Sequence, residues 1–219
     1  MHKIVKNLIA IENNIKNQLN NLKKDKLPKI IAVSKTFATD KIIPLIEHGH
    51  IDFGENKVQE ASEKWNELKS THKNINLHMI GRLQSNKVKQ AVKIFDYIHT
   101  VDSKKIAKKI NDEMIKIDKK IKIFIQVNIG NEDQKSGVNK EDLLELFNYC
   151  VELNLNVIGL MCIPPADKNP EKYFEEMNEL NKNLNINELS LGMSNDYLDA
   201  IKYSSTYVRI GSLIFGSRN

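Results

Sequence analysis

Short apolar runs alternate with longer amphipathic stretches along the whole chain, and this alternation restricts the fold more than any other feature. Eight runs read as strands: 29–34, 51–54, 77–81, 97–101, 121–128, 157–162, 188–192 and 207–211. Between them lie helical stretches, among them 57–68, 103–117, 140–153, 170–184 and 195–204. Several have chemical starts. Asp102 or Ser103 suits a cap, Asn139 caps the stretch at Glu141, and Pro170 suits a first helical turn. Eight strand–helix steps in 219 residues favour an α/β fold of one kind, a single (β/α)8 TIM barrel spanning 1–219. An open doubly wound sheet is the competitor. No Gly-, Ser- or Pro-rich linker divides the chain.

Only eight residues follow Gly211, which leaves little room for a last outer helix. An N-terminal helix over 2–24 has Ile4, Leu8, Ile11, Ile15, Leu19 and Leu22 at helical spacing. It is expected to cover the gap. No apolar run approaches the ~20 residues of a membrane span, and Lys, Asn and Glu interrupt the N-terminus, unlike a signal peptide. Two cysteines, Cys150 and Cys162, are too few for a disulfide framework. A reduced, cytoplasmic protein is the default expectation. The net charge of +5 resides largely in Lys104, Lys105, Lys108, Lys109, Lys116, Lys119, Lys120 and Lys122. Few aromatics accompany these lysines, so a solvated helix face is preferred to a nucleic-acid surface.

Barrel closure would make the first and last strands neighbours, and three segments then meet at one mouth. Lys35 ends the first run, on the same strand face as Ile31 and Val33. Gly192 and Ser194 follow the seventh, with Asn195 opening a helix whose free N–H groups attract anions. Gly211 and Ser212 follow the eighth, and phosphate often binds after strands seven and eight of such barrels. An amine beside a phosphate cup is what holding pyridoxal phosphate as a Schiff base requires. Burial beside other cations would favour the free amine that attacks an aldehyde. Each feature alone has an ordinary reading: a solvated lysine, or a Gly-Ser turn. Arg209 shares a strand face with Tyr207 and Gly211. It is either an ion-pair partner at the mouth or a donor to the cofactor's ring nitrogen. Being always protonated, it would leave that nitrogen without a proton.

The chain resembles the pyridoxal phosphate homeostasis protein family, also called the YggS/PROSC family, nearly end to end. The resemblance rests on 32–35 (AVSK), 53–56 (FGEN), 78–87 (HMIGRLQSNK), 126–128 (QVN), 135–137 (KSG), 159–161 (GLM), 191–194 (LGMS) and 209–216 (RIGSLIFG). Leu77 and Leu191 depart from the family's usual Trp and Met. The resemblance implies a fold-type III barrel like the N-terminal domain of alanine racemase. It implies pyridoxal 5'-phosphate carried by Lys35 as an internal aldimine, with its phosphate on Ser194, Gly211 and Ser212 and its ring nitrogen facing Arg209. Met193 would belong to the phosphate loop and Asn56 would lie near the ring hydroxyl. His78 either lines the mouth or is a buried structural histidine. Two functions fit: a carrier that limits damage by a reactive aldehyde and passes it transiently to apoenzymes, or an amino-acid racemase. A racemase needs a second acid/base group opposite Lys35. Tyr203 and Tyr207 are candidates by residue type only. A lysine-dependent aldolase of a sugar phosphate is a third reading. With no partner-supplied catalytic group required, a monomer is expected.

Overall fold

A computed structural model describes residues 1–132, 134–166 and 169–217. Eight parallel strands close into a barrel in sequence order: β1 (Lys29–Val33), β2 (Asp52–Glu55), β3 (Asn76–Met79), β4 (Tyr97–Val101), β5 (Lys122–Gln126), β6 (Asn156–Met161), β7 (Glu188–Met193) and β8 (Tyr207–Ile210). Closure is made by β1 on β8, with Ile31 opposite Arg209 and Ala32 opposite Ile210. The eight strands read from the sequence are all present, with ends shifted by up to two residues.

Outer helices follow the strands: α2 (Thr39–Glu47), α3 (Val58–Thr71), α4 (Val88–Ile94), α5 (Lys104–Lys116), α6 (Leu143–Glu152), α7 (Glu171–Asn183), α8 (Tyr197–Lys202) and α9 (Ser212–Phe215). Helix α9 is a single turn. Helix α1 (Lys3–Leu22) packs on α2, α8 and α9 and so fills the gap where a full last helix would stand. Its predicted stripe is the buried face: Ile4, Leu8, Ile11, Ile15 and Leu19 are buried and Leu22 is half-buried. Side-chain amides fasten it to the end of the barrel wall, Asn7 Nδ2 donating to the Ile214 carbonyl at 2.9 Å and Asn14 Nδ2 to the Tyr197 hydroxyl at 3.3 Å.

Among the caps, Ser103 accepts from the Ile106 N–H, as expected. Asn139 precedes a 3₁₀ turn (Lys140–Asp142) without a side-chain bond. Pro170 stands one residue before α7, where the Asn169 side chain accepts from the Glu171 N–H. Helices α2 and α4 have no counterpart among the stretches named from the sequence. Helix α2 carries Pro44 in its interior, which reads as a breaker, and α4 is too short for periodicity to declare it.

The lysine-rich segment divides in two. On α5, Lys104, Lys108 and Lys116 pair with Glu145, Asp112 and Glu113 on the surface. Lys119 donates instead to the Phe95 carbonyl and Lys122 to the Tyr97 hydroxyl, tying loop ends at the N-terminal side of the barrel. Cys150 and Cys162 are buried and unpaired. No helix among the described residues is long and apolar enough to cross a membrane.

The barrel lumen departs from the usual stack of branched aliphatics. Ile31, Tyr97, Phe124, Met161 and Tyr207 form an inner cluster separate from the main core. Buried polar residues Asp52, His78, His99, Ser190 and Arg209 lie with it. His78 stacks on Tyr97 and His99 on Phe124, both with centroids 4.2 Å apart. The aromatic rings let imidazoles pack densely while their nitrogens remain available for hydrogen bonds.

Candidate functional site

A cavity of about 740 Å³ opens at the C-terminal ends of the strands. Lys35, Asn56, Met193, Ser194, Arg209, Gly211 and Ser212, the residues expected to hold the cofactor, all line it. His78 does not line it; it is fully buried inside the barrel. Tyr203 and Tyr207 do not line it either. Tyr207 is buried in the lumen among Tyr97 and Phe124, with the Lys29 amine over its ring.

Each lining residue is placed by local structure. Lys35 falls two residues beyond β1, half-buried in a turn, because the strand ends at Val33 and only the Ser34 N–H continues the ladder, to the Gly54 carbonyl. Phe37 stacks on Phe215 of α9 at 4.9 Å and so joins this turn to the chain end. Asn56 follows β2 and is approached by Gly81. A Cβ on Gly81 would stand 2.3 Å from the Asn56 carbonyl oxygen, so only glycine lets the two loops meet there. The Asn56 Oδ1 is buried and has no hydrogen-bond partner among the described residues.

Ser194 and Asn195 lie in a turn, and α8 begins two residues later than the sequence suggests. The Asp196 carboxylate accepts from the Met193 N–H at 2.6 Å and holds the turn outside the helix. That N–H is therefore already engaged within the loop. Burial pushes the Asp196 carboxyl up, against the pull of the Met193 N–H and of Arg209. Gly192 has φ +85°, and a Cβ there would meet Ala200 at 2.7 Å. The glycine is thus required both by its backbone angle and by the closeness of α8. Ser212 opens α9, a single turn in which the Ile214 and Phe215 N–H groups both donate to the Gly211 carbonyl.

Arg209 is buried at the floor of the cavity. Its Nη1 donates to the Ser190 carbonyl at 2.6 Å and to the Ser190 hydroxyl at 2.7 Å, and its Nη2 donates to the Cys162 carbonyl at 2.8 Å. It makes no ion pair among the described residues, which sets aside the ion-pair reading of the sequence. Of its five N–H donors, the one on Nε and one on Nη2 have no acceptor among the described residues.

A family model described as "Alanine racemase, N-terminal domain" matches residues 7–219. The chain is 40% identical over 200 residues to the pyridoxal phosphate homeostasis protein of Aquifex aeolicus, an alignment that covers 87% of each. The chain belongs to the pyridoxal phosphate homeostasis protein family. The relative in Pasteurella multocida is 38% identical over 228 residues, covering 99% of this chain and 98% of that protein. Among solved structures, PipY of Synechococcus elongatus is 31% identical. It covers 92% of this chain and 100% of its own, with a TM-score of 0.83 without PLP and 0.81 with PLP bound.

Sequence reasoning missed some of what builds the site in this homeostasis-family chain. Lys135 also lines the cavity. The segment carrying it adds one parallel bridge beside β5, Val127 to Val138, which requires Gly137 at φ +128° against the Asn128 N–H. Its signal was the 135–137 motif. Lys64 of α3 is the larger omission. Its amine donates to the carbonyls of Ser34 at 2.9 Å and Phe37 at 3.3 Å, bracketing Lys35, and pairs with Glu55 and Glu60 at 2.8 Å each. Glu55 is fully buried and also accepts from the Ser34 hydroxyl at 2.7 Å and the Trp65 indole at 3.0 Å. A lysine in mid-helix gives no sequence sign of such a task.

Burial pulls three histidines below their ordinary value of 6.5: His50, His78 and, most strongly, His99, on which His78 and Arg209 also act. The sign of the consequence follows from proton counting. Below 6.5 the unfolded histidines bind protons while the folded ones stay neutral, so stability falls as pH falls. The slope approaches about 1.4 kcal/mol per pH unit for each histidine so held. Denaturant melts between about pH 7.5 and about pH 5 are expected to show this loss, and a flat profile would mean that the histidines charge freely in the fold.

Proposed function

We propose that this chain binds pyridoxal 5'-phosphate in the β-strand mouth and serves in its homeostasis in the cytoplasm, holding the cofactor on Lys35 rather than turning over an amino acid. The observation that carries this reading is the convergence of Lys35, Arg209 and the Gly/Ser ends of β7 and β8 on one cavity of about 740 Å³. The volume lies in the usual range for small-ligand sites. The relatives' names and the PLP-bound PipY structure support the same ligand.

The residues present fit that group. When bound, pyridoxal phosphate supplies an aldehyde that condenses with an amine and a pyridine ring able to draw electrons. Lys35 supplies the amine from a turn that is held on both sides. Ser194, Gly211 and Ser212 offer hydroxyl and amide donors to the phosphate, and Met193 forms the adjoining wall. The orphaned Asn56 Oδ1 would accept from a ring hydroxyl. The uncommitted N–H groups of Arg209 would offer the ring nitrogen a permanent donor and keep a proton off it, which would weaken the ring as an electron sink.

The choice of holder over racemase rests on the cavity lining. Neither candidate tyrosine faces Lys35 across it, and among the described residues no phenol lines the cavity as a second acid/base group. The reading includes a monomer that passes its cofactor to apoenzymes in transient encounters. The test is to load the protein with pyridoxal phosphate, reduce it with borohydride and map the adduct by mass spectrometry. The adduct is expected on Lys35. A colourless protein that traps only sugar phosphates would replace this reading with the aldolase. Exchange of the α-proton of alanine or serine faster than with free cofactor would restore the racemase.

A further inference from the structure

One hydrogen-bonded chain crosses the barrel lumen from β2 to β8. Asp52 Oδ1 lies 3.0 Å from His78 Nε2, and His78 Nδ1 lies 2.9 Å from His99 Nε2. His99 Nδ1 lies 3.0 Å from the Ser190 hydroxyl, which accepts from Arg209 Nη1 at 2.7 Å. All five residues are buried.

The direction of every bond is forced. Arginine can only donate, so the Ser190 oxygen accepts from it, and with Asp52 accepting and both rings neutral the hydroxyl hydrogen of Ser190 turns to His99 Nδ1. His99 then carries its proton on Nε2 and donates to His78 Nδ1. His78 in turn carries its proton on Nε2 and donates to Asp52. The other end requires the same order, because an ionised carboxylate only accepts. Burial would raise the Asp52 carboxyl, but the His78 hydrogen bond, Lys29 and Asn76 outweigh it and hold it below its ordinary value. The groups facing the two imidazoles are Lys29, Asp96, Tyr97, Phe124 and Tyr207. Both rings are pulled toward the neutral form that this order needs.

We propose that Ser190, His99, His78 and Asp52 are positioning residues for Arg209: they link its buried guanidinium to Asp52 as counter-charge and fix the orientation in which its remaining N–H groups meet the ligand. Arg209 has no carboxylate in contact among the described residues, Asp196 acting on it only through space, and a buried charge without close compensation is costly. Four aligned dipoles bring the negative end of Asp52 to it. Aligned bonds polarise one another, so the guanidinium is held more firmly than by Ser190 alone. This inference rests on the reading of the cavity as a pyridoxal phosphate site.

The test has two arms. In unloaded wild-type protein, ¹⁵N NMR of the imidazoles is expected to show His78 and His99 both neutral, protonated on Nε2 and bare on Nδ1. A proton on Nδ1 of either ring, or ordinary titration of both, would overturn the chain whether or not any variant folds. In the second arm, Ser190→Ala removes one oxygen from the chain and leaves Lys35 and the phosphate loops untouched. Its His99 is expected to keep its proton on Nε2, as His78 and Asp52 still require, its loaded form to show a shifted absorbance band, and its affinity for pyridoxal phosphate to fall about tenfold, the scale of one hydrogen bond to a charged group. Wild-type affinity with an unshifted band would overturn the positioning role. Failure of wild type to take up the cofactor would instead remove the functional reading, while the tautomers still decide the chain.

Discussion

Lys35→Ala is expected to abolish the borohydride-fixed adduct and the yellow absorbance of loaded protein while leaving the barrel folded. The reason lies in where the side chain sits. It projects from a turn at the cavity mouth, outside the inner cluster of Ile31, Tyr97, Phe124, Met161 and Tyr207 and outside the main core. The turn itself is held by backbone contacts that survive truncation at residue 35, namely Ser34 and Phe37 on Lys64 and the Thr36 N–H on Glu60. The half-buried side chain lies outside both clusters, so its truncation leaves them intact. The far-ultraviolet spectrum and melting midpoint should therefore match wild type. The phosphate loops at Ser194 and Ser212 remain, so weak, reversible binding of pyridoxal phosphate should persist and be competed by inorganic phosphate. An adduct of undiminished yield on Lys135, the other lysine lining the cavity among the described residues, would show that the wrong amine has been assigned. Loss of helix signal would show that Lys35 is structural.

The fold was legible because its cause is repetitive. Each strand buries both faces, so a parallel barrel writes eight near-continuous apolar runs, and the spacing between them leaves room for a helix each time. The displaced helix α1 was legible for the same reason, since Ile4, Leu8, Ile11, Ile15 and Leu19 mark one face. What the runs could not convey was the polar content of the lumen. His78, His99 and Ser190 each stand alone within an apolar strand, and only closure of β4 against β7 across the lumen turns them into neighbours. Similarly, Lys35, Ser194 and Ser212 announced themselves at strand ends, whereas the groups that hold the lysine turn come from α3. Helix periodicity explains why Val58, Ala61, Trp65 and Leu68 face inward. It says nothing of Lys64 reaching back beneath the turn. The shortened α8 has a local cause as well. The Asp196 side chain competes with the helix for the Met193 N–H, and a stretch read by periodicity alone carries that turn into the helix.

Lys64→Met is expected to be among the most damaging single substitutions outside the cavity, and its pH dependence identifies why. Wild-type Lys64 is the one cation touching Glu55 among the described residues, and Glu55 is fully buried with its Oε2 already unpartnered. Burial raises the Glu55 carboxyl even now, against Lys64, Trp65 and Ser34. Removing the amine leaves a buried carboxylate supported only by a hydroxyl and an indole. Breaking one side of a buried ion pair costs about 3–5 kcal/mol, which for a chain of this size lowers the melting midpoint by on the order of 10 °C. The sign of the pH effect is fixed. A carboxyl whose folded value stands above its unfolded one binds a proton more readily in the fold, so its stabilising share is present at low pH and lost as pH rises through the folded value. The deficit of Lys64→Met relative to wild type should therefore shrink on acidification, since the histidine losses occur in both proteins and cancel in the difference. Adding Glu55→Gln should recover much of the stability at neutral pH, because the uncompensated charge is then gone. It should not recover cofactor affinity. The carbonyls of Ser34 and Phe37 would still lack their clamp, and the turn that presents Lys35 would still be loose. A double variant that regained affinity along with stability would show that Lys64 acts only through Glu55. A single variant with wild-type stability at every pH would show that the buried carboxyl is neutral already and needs no partner.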